Sequence, residues 1–350
     1  MGPLRYFRGA IIFTAIGLLL GAWLGWEQTG TFGGALYIFI ICCVLAVLEI
    51  SLSFDNAIVN ANKLKTMDPV WQRRFLTWGI VIAVFGMRIV FPLAIVAIAA
   101  RLDPWSAIEL AIVDPARYAQ IISKSHMSIA AFGGTFLMMV SLSYFFDHDK
   151  EIHWIRSIER HFRSAAAIKG VEVGLVLALI LLFSMMIGGE AANTFLRSAI
   201  YGLLTFLAVE VVGHLLDASQ QRQAAAARAG AGAFLYLEVL DASFSFDGVI
   251  GAFALSQNLF VIAIGLGIGA FYVRSMTIVL VERQTLTRYR YLEHGAFYAI
   301  FLLSVLMFTQ TLVHIPEVIT GLGGALLIGI ALVSSIRYNR HAGAGAESQR

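Results

Sequence analysis

Long apolar stretches separated by short polar segments follow one another along most of the chain. A hydrocarbon core of about 30 Å takes roughly 20 apolar residues of helix, and several stretches come close to that length. They lie at residues 10–26, 35–61, 75–100, 126–147, 170–189, 194–216, 233–256, 259–281, 294–313 and 317–337. The pattern predicts an all-α polytopic membrane protein with about ten transmembrane helices, the first of them retained.

Basic residues alternate between the connecting segments. Every second segment is rich in them: Arg5 and Arg8; Lys63, Lys65, Arg73 and Arg74; Lys150, Arg156, Arg160, Arg163 and Lys169; Arg222 and Arg228; Arg283, Arg288 and Arg290; Arg337 and Arg340. The segments between them hold only Arg101, Arg117, Lys124 and Arg197. Because cytoplasmic loops are enriched in Lys and Arg, both termini are predicted to be cytoplasmic.

Four segments do not fit a spanning helix. Residues 101–125 mix charges with Leu and Ile, which predicts an interfacial amphipathic helix on the outer side. Residues 148–166 predict a basic amphipathic helix on the cytoplasmic side. Residues 217–232, rich in Gln, Ala and Gly, favour a flexible linker, and the tail 341–350 is predicted to be disordered.

The composition agrees with a membrane protein, since 59% of the residues are hydrophobic, 13% are charged and the mean hydropathy is +0.80. No soluble domain could cover that much apolar surface. The small net charge of +3 gives no sign of a nucleic-acid partner. Cys42 and Cys43 are adjacent within an apolar run, so we expect packing residues and neither a disulfide nor a thiolate zinc site.

An acidic phrase occurs twice inside apolar sequence, once at Glu49–Ile58 and again at Asp241–Ile250. The two copies share Ser51 with Ser243, Ser53 with Ser245, Phe54 with Phe246, Asp55 with Asp247 and Ile58 with Ile250. An ionised side chain at the centre of a membrane helix costs roughly 2.5 to 3.5 kcal/mol. A cost carried twice indicates a functional use.

The duplication extends into later helices, where Gly79 and Arg88 correspond to Gly265 and Arg274. Five helices in each half would force the halves into opposite orientations, which is the inverted-repeat plan of secondary transporters. Chance similarity between apolar helices explains the later matches as well, although it explains the acidic phrase poorly. On this plan the first repeat, its inserts and the sixth span occupy 1–216, with the repeat boundary near 190, and the remainder of the second repeat occupies 233–340.

Within a regular helix Glu49 and Asp55 would point about 120° apart, as would Asp241 and Asp247. One ion could reach both acids of a pair only if the helix bends or unwinds. Small and polar residues that tolerate a break surround each Asp: Ser53 and Asn56 in the first copy, Ser245, Gly248 and Gly251 in the second. We therefore expect distorted helices at both phrases, crossing near the bilayer centre.

The acids predicted as metal ligands are Glu49, Asp55, Glu238, Asp241 and Asp247. Asn56, Ser53 and Ser245 could add oxygen ligands, or could serve only to satisfy backbone groups around a break. Hard oxygen donors suit Mn²⁺, Mg²⁺ or Ca²⁺ better than Zn²⁺ or Cu⁺. For Arg88 and Arg274 we favour structural ion pairs with these acids over contact with a substrate.

Two further clusters have weaker signals. Glu210, His214 and Asp217 lie on one helical face at the end of the sixth span, where they could receive an incoming ion or could form an ordinary helix-end cluster. The stretch from Asp147 to His153 has the residue types of a weak metal site, but a solvated loop explains it better.

The paired acidic phrases and the two Gly-x8-Arg helices resemble the TerC family of integral membrane proteins, within the LysE-type transporter superfamily, over residues 35–100 and 233–337. The chain is most similar to a longer TerC-like branch of unknown function. The resemblance implies export of a divalent metal, chiefly Mn²⁺, across a bacterial cytoplasmic membrane, with the acids of the phrases as ligands. Some family members are linked to tellurium resistance or to metal loading of secreted enzymes. The chain departs from the family pattern at Gly248, which takes the place of Asn56 in the second copy, and in its inserts at 101–125 and 148–169.

These observations lead to a Mn²⁺ efflux transporter that works by alternating access, with a divalent cation and the lipid bilayer as partners and a homo-oligomer left open. A membrane-embedded metal-dependent enzyme is the first alternative, although the chain has no His-Glu-x-x-His or Gly-x-Ser-x-Gly phrase. A metal-binding scaffold that docks partners on residues 148–169 is the second.

Overall fold

A computed structural model describes residues 5–147, 150, 152–155, 157, 159–160, 168, 170–221, 230–313 and 315–347. This part of the chain is helical and contains no strand. Its helices are α1 Arg8–Thr29, α2 Phe32–Leu52, α3 Phe54–Leu64, α4 Pro69–Ala100, α5 Pro104–Val113, α6 Pro115–Lys124, α7 His126–Phe145, α8 Val171–Ile187, α9 Gly189–Gln221, α10 Ala231–Leu255, α11 Leu259–Glu282, α12 Thr285–Arg288, α13 Leu292–Gln310 and α14 Glu317–Glu347.

Eight helices within these ranges are long and apolar enough to cross a membrane: α1, α2, α4, α7, α9, α11, α13 and α14. The prediction of an all-α polytopic membrane protein is therefore confirmed. The other two of the ten predicted spans correspond to α8, which has 17 residues, and to α10, which carries Glu238, Asp241 and Asp247. α7, α11 and α13 are largely buried in the bundle, whereas α1, α4 and α14 face outward over most of their length.

Asp-Pro pairs begin three of the helices. Asp68, Asp103 and Asp114 each accept a hydrogen bond from a backbone N–H of the first turn, and the proline that follows takes the first helical position. Such a position suits proline because its missing N–H would have no partner there. The prediction of a single helix over 101–125 was wrong, since Asp114 and Pro115 divide it into α5 and α6.

The α5–α6 hairpin also packs more deeply than an interfacial helix would. Tyr118 of α6 is fully buried, with its ring 5.8 Å from that of Phe253 at the end of α10. Together with Leu45 and Leu266 these residues form an apolar cluster at that end of the bundle. The opposite end, where α3 and α11 finish and α13 begins, is called the basic end here, after Lys65, Arg283 and Arg290.

Two predicted irregular segments are partly helical. α9 continues through Gln221 into the predicted linker, and α14 continues through Glu347 into the predicted disordered tail. Residues 222–229 and 348–350 lie outside the described part of the chain. So does most of 148–166, which leaves the basic amphipathic helix a prediction.

A buried carboxylate fixes the segment before α8 to the bundle. Glu159 is 1% exposed and lies outside the spanning helices. Its oxygens contact Nζ of Lys150 at 3.2 Å, Nδ1 of His153 at 3.1 Å, the hydroxyl of Tyr298 at 3.3 Å and the backbone N–H groups of Trp154 and Ile155 at 3.2 and 3.1 Å. Because Tyr298 belongs to α13, these contacts join the segment to that helix.

Replacing Glu159 with Gln should make the free energy of unfolding less dependent on pH in the acidic range. Burial alone would raise the pKa of Glu159, but the charge of Lys150 and the hydrogen bonds outweigh it and hold the pKa below its usual range. A carboxyl group whose pKa is lowered by folding stabilises the fold at any pH above its ordinary pKa of about 4.3. This stabilisation is lost as the pH falls through the pKa of the folded state. At pH 7 the free energy of unfolding of the wild type should exceed that of Glu159→Gln by about 3 kcal/mol, the usual cost of breaking a buried pair.

Thermal unfolding in detergent, followed by tryptophan fluorescence, measures the difference between the two proteins. We expect it to narrow below about pH 4, where the wild-type carboxylate also becomes protonated. The exposed Glu190→Gln serves as the matched control. An equal midpoint for wild type and Glu159→Gln at neutral pH would contradict the stabilising role.

Candidate functional site

The first acidic phrase is broken at Ser53, as predicted. α2 ends at Leu52 and α3 begins at Phe54, with Ser53 between them outside helical geometry at φ −105° and ψ 14°. The hydroxyl of Ser53 donates to Oε1 of Glu49 at 2.9 Å. Asp55 lies in the first turn of α3, where free N–H groups favour a negative charge.

The second phrase lies in an unbroken helix, so the predicted distortion there was wrong. α10 runs without interruption from Ala231 to Leu255. The other irregular helix is α4, where Ile82–Val90 are π-helical and carry Arg88. π-helical turns are rare and are frequently found at functional sites. Pro92 lies just after this stretch and cannot fit beside the carbonyl of Arg88 in a regular helix, so it was a usable signal that sequence reasoning missed.

Glu49 and Arg88 form a buried ion pair between α2 and α4. Nη2 of Arg88 donates to Oε1 of Glu49, and the two residues are 2% and 5% exposed. α11 packs closely behind the pair, because a Cβ atom on Gly269 would come within 2.4 Å of Cβ of Glu49. The expectation that Arg88 pairs with an acid of the phrase is confirmed.

The second half contains a corresponding pair. Nη2 of Arg274 lies 3.7 Å from Oδ2 of Asp241, whose Oδ1 accepts a hydrogen bond from Asn60 of α3 at 2.7 Å. The guanidinium of Arg274 lies over the ring of Phe75, 3.9 Å from its centroid. Asn60 was missed by sequence reasoning, although its position one turn after Asn56, on the same helical face, was a usable signal.

Gly79 makes room for this second pair. A Cβ atom on Gly79 would lie 2.6 Å from Nη2 of Arg274 and 2.9 Å from Oε1 of Glu238. Glu238 is thus held beside the arginine, and neither of its oxygens has a hydrogen-bond partner among the described residues. The glycine predicted from the repeat is therefore a point of close approach between α4 and α10.

Both ion pairs line one small cavity of about 20 Å³, which is close to the space that a single water molecule needs. The other polar residues facing it are Ser53, Asn56, Asn60, Ser245 and Thr277. The oxygens of Asn56 (Oδ1) and Ser245 (Oγ) have no hydrogen-bond partner in the described part of the chain. The cavity therefore contains oxygen atoms that are free to bind a cation, and they lie between two ion pairs whose charges cancel.

Asp55 faces a second cavity of about 10 Å³, lined also by Gly248, Thr320 and Gly324. The break at Ser53 directs Asp55 toward α14, and its Oδ1 accepts the N–H of Asn56 at 2.8 Å. Phe244 lines both cavities. The single pocket predicted from the sequence is thus divided in two. The side chain of Asp247 lies outside the described residues, so its pairing with Asp55 stays a prediction.

No three His, Cys, Asp or Glu side chains come together as a metal-binding group within the described residues. Among the described side chains the predicted ligands are therefore not gathered into one group, and each of Glu49 and Asp241 has an arginine as its counter-charge. The metal site stays a prediction. In this arrangement a cation could take the place of an arginine as the positive partner of each carboxylate. The carboxylate would then never be left unpaired.

The remaining sequence candidates that the structure describes do not line these two cavities. Glu210 and His214 are exposed on α9, and the side chain of Asp217 is outside the described part. Cys42 is buried with Sγ 3.9 Å from the carbonyl oxygen of Val261, and Cys43 is also a free thiol, as expected of packing residues. The stretch from Asp147 to His153 is described only in part.

A double-mutant cycle on Glu49 and Arg88 tests whether the pair holds α2 against α4. Either Arg88→Met or Glu49→Gln leaves a buried partner alone, which typically costs about 3 to 5 kcal/mol when the partner is charged. The double variant should recover part of that loss, giving a coupling of about 1 to 3 kcal/mol in thermal unfolding. Arg283→Met, at an exposed position, is the control, and strictly additive losses would contradict the pairing.

Comparison with known proteins gives a family and no activity. No curated protein and no solved structure matches the chain. The resemblance to the TerC family stays a prediction. Residues 54–342 match the family described as "Protein of unknown function (DUF475)", a range that includes Asp55, Arg88, Asp241 and Arg274 but not Glu49. The chain belongs to the DUF475 family.

Proposed function

We propose that the protein is a secondary transporter for a small divalent metal cation in a bacterial cytoplasmic membrane. The observation that carries the proposal is the meeting of two acid–arginine pairs, Glu49–Arg88 and Asp241–Arg274, on one cavity inside the bundle. Charged residues inside membrane helices typically mark ion pathways. The resemblance to the TerC family adds Mn²⁺ as the preferred ion and export as the direction.

The packing between the halves supports an inverted repeat. Gly79 of the first half contacts Glu238 on α10, and its counterpart Gly265 of the second half contacts Leu45 on α2. Each half therefore inserts its glycine-bearing helix against the acidic helix of the other half. Halves related by a two-fold axis in the membrane plane would make such reciprocal contacts, with the substrate near the axis.

The cavity suits a small, hard cation. Its volume of about 20 Å³ leaves no room for an organic molecule, which disfavours the membrane enzyme. Its free oxygens, Asn56 Oδ1 and Ser245 Oγ, lie beside the carboxylates of Glu49 and Asp241, and amide, hydroxyl and carboxylate oxygens are the ligands of Mn²⁺, Mg²⁺ and Ca²⁺.

The arginines supply a mechanism for release. When a cation binds Glu49 and Asp241, Arg88 and Arg274 move away from them, and when the arginines return they displace the cation. A carboxylate left without a partner in this environment would cost several kcal/mol. Exchange between two positive partners avoids that cost, so the ion can leave toward the other side of the membrane.

Flux into liposomes tests the function. Purified protein should move Mn²⁺, with Mg²⁺, Ca²⁺ and Zn²⁺ measured in parallel, and Glu49→Gln or Asp241→Asn should lower the rate by about tenfold or more, each tenfold being about 1.4 kcal/mol of lost ion stabilisation. Asp55→Asn and Asp247→Asn test the second cavity in the same assay.

The control is the exposed Glu190→Gln, which should transport like the wild type. Each variant is first checked for a single symmetric peak in size-exclusion chromatography, so that a misfolded protein is not read as an inactive one. Absence of flux for all four cations, or unchanged flux in both Glu49→Gln and Asp241→Asn, would overturn the proposal.

A further inference from the structure

One contact at the basic end joins the two halves of the molecule. Glu293, in the first turn of α13, accepts a hydrogen bond from Nδ2 of Asn62 at 2.7 Å and forms an ion pair with Nζ of Lys65 at 3.3 Å. Asn62 lies in the last turn of α3, and Lys65 is the first residue after the helix. The C-terminal end of α3 is thus tied to the beginning of α13.

α3 is a short rod that connects this contact to the site. It has 11 residues and is therefore about 16 Å long. It begins at the break at Ser53, where the backbone leaves helical geometry, and it carries Asn56 and Asn60 on the first cavity and Asp55 on the second. A displacement of the Lys65 end of this rod would move side chains in both cavities.

A larger polar cavity opens beside the contact. It has a volume of about 430 Å³, and Lys65 and Glu293 both line it. Further along α13, Ala299 and Leu303 line the cavity of Asp55. The surfaces that α3 and α13 turn toward each other therefore extend from the large cavity at the basic end to the site in the bundle interior.

The contact is easily broken. The side chains of Lys65 and Glu293 are 47% and 22% exposed, and ion pairs with that much access to water contribute little to stability. Opening the ion pair alone costs much less than opening the buried Glu49–Arg88 pair, and the main resistance to moving the end of α3 is the packing of Leu64 in the core.

We propose that Glu293, held by Asn62 and Lys65, is the latch of a gate between α3 and α13. When the latch opens, the Lys65 end of α3 moves away from α13 and connects the large cavity with the two small ones. This assignment rests on the proposed function, since it names the gate through which the cation enters the transport site from the basic end.

Charge exchange across the latch tests the gate. In a Cys42→Ala/Cys43→Ala background, Ala299→Cys places a thiol on the passage, and its rate of modification by a membrane-impermeant maleimide is measured from the basic-end side. Lys65→Glu or Glu293→Lys alone should raise the rate by about threefold to fivefold, the ratio that one exposed ion pair can hold. The double variant Lys65→Glu/Glu293→Lys should return it to near the starting rate.

Lys63→Glu is the matched control, because it reverses the same charge on the same helix without contacting Glu293, and it should leave the rate unchanged. Single variants that label like the parent, or a double variant that stays as reactive as the singles, would overturn the latch. Labelling needs no transported ion, so the result is independent of the liposome assay. Flux without the charge-exchange pattern removes the gate alone, and the pattern without flux removes the transport function alone.

Discussion

Burial of opposite charges in pairs is the constraint on which the rest of the structure depends. Glu49, Arg88, Asp241 and Arg274 are all at least nine-tenths buried inside apolar helices. Because an unpaired charge there costs several kcal/mol, α2 can pack against α4, and α10 against α11, only when both pairs form. Small residues make the approach close enough: Gly269 stands behind Glu49, and Gly79 stands beside Arg274.

The pairing of charges also allows the interior of the bundle to contain polar side chains. The two pairs are electrically balanced, but Glu238 adds an acid whose oxygens have no hydrogen-bond partner in the described part of the chain. The carboxylates of Glu49 and Asp241 attract a cation to the cavity they line, and its small volume restricts which cations fit. Function as proposed here thus follows from the same electrostatics that orders the helices.

The sequence predicted the features that depend on hydrophobicity and on charge. Long apolar stretches locate the membrane helices, and the arginines nine residues after Gly79 and Gly265 could be matched to buried acids because few other counter-charges exist in the interior. The sequence could not predict which acidic phrase breaks. Ser53-Phe54-Asp55 and Ser245-Phe246-Asp247 are identical, yet only the first interrupts its helix.

That difference arises from packing beyond the phrase. Asn60, in the second turn of α3, hydrogen-bonds Asp241 in the other half, and a contact 181 positions away leaves no local signal. The π-helical stretch of α4 is a different case, since Gly86 within it and Pro92 just after it are local signals of helix distortion. Asp55 and Glu49 face different cavities because the helix breaks between them. Their separation therefore could not be predicted without predicting the break.

Consecutive residues at the start of α13 have opposite surroundings, and this decides which part of the bundle stays still. Glu293 faces water and a short helix, whereas His294 is 3% exposed, with Nε2 2.7 Å from the carbonyl oxygen of Ile152 and with Glu159 close by. α13 is therefore anchored on one flank and detachable on the other. A rearrangement at this end would therefore begin on the flank of Glu293 and leave the flank of His294 in place, and it would also have to unpack Ile58 and Leu64 of α3 from the core.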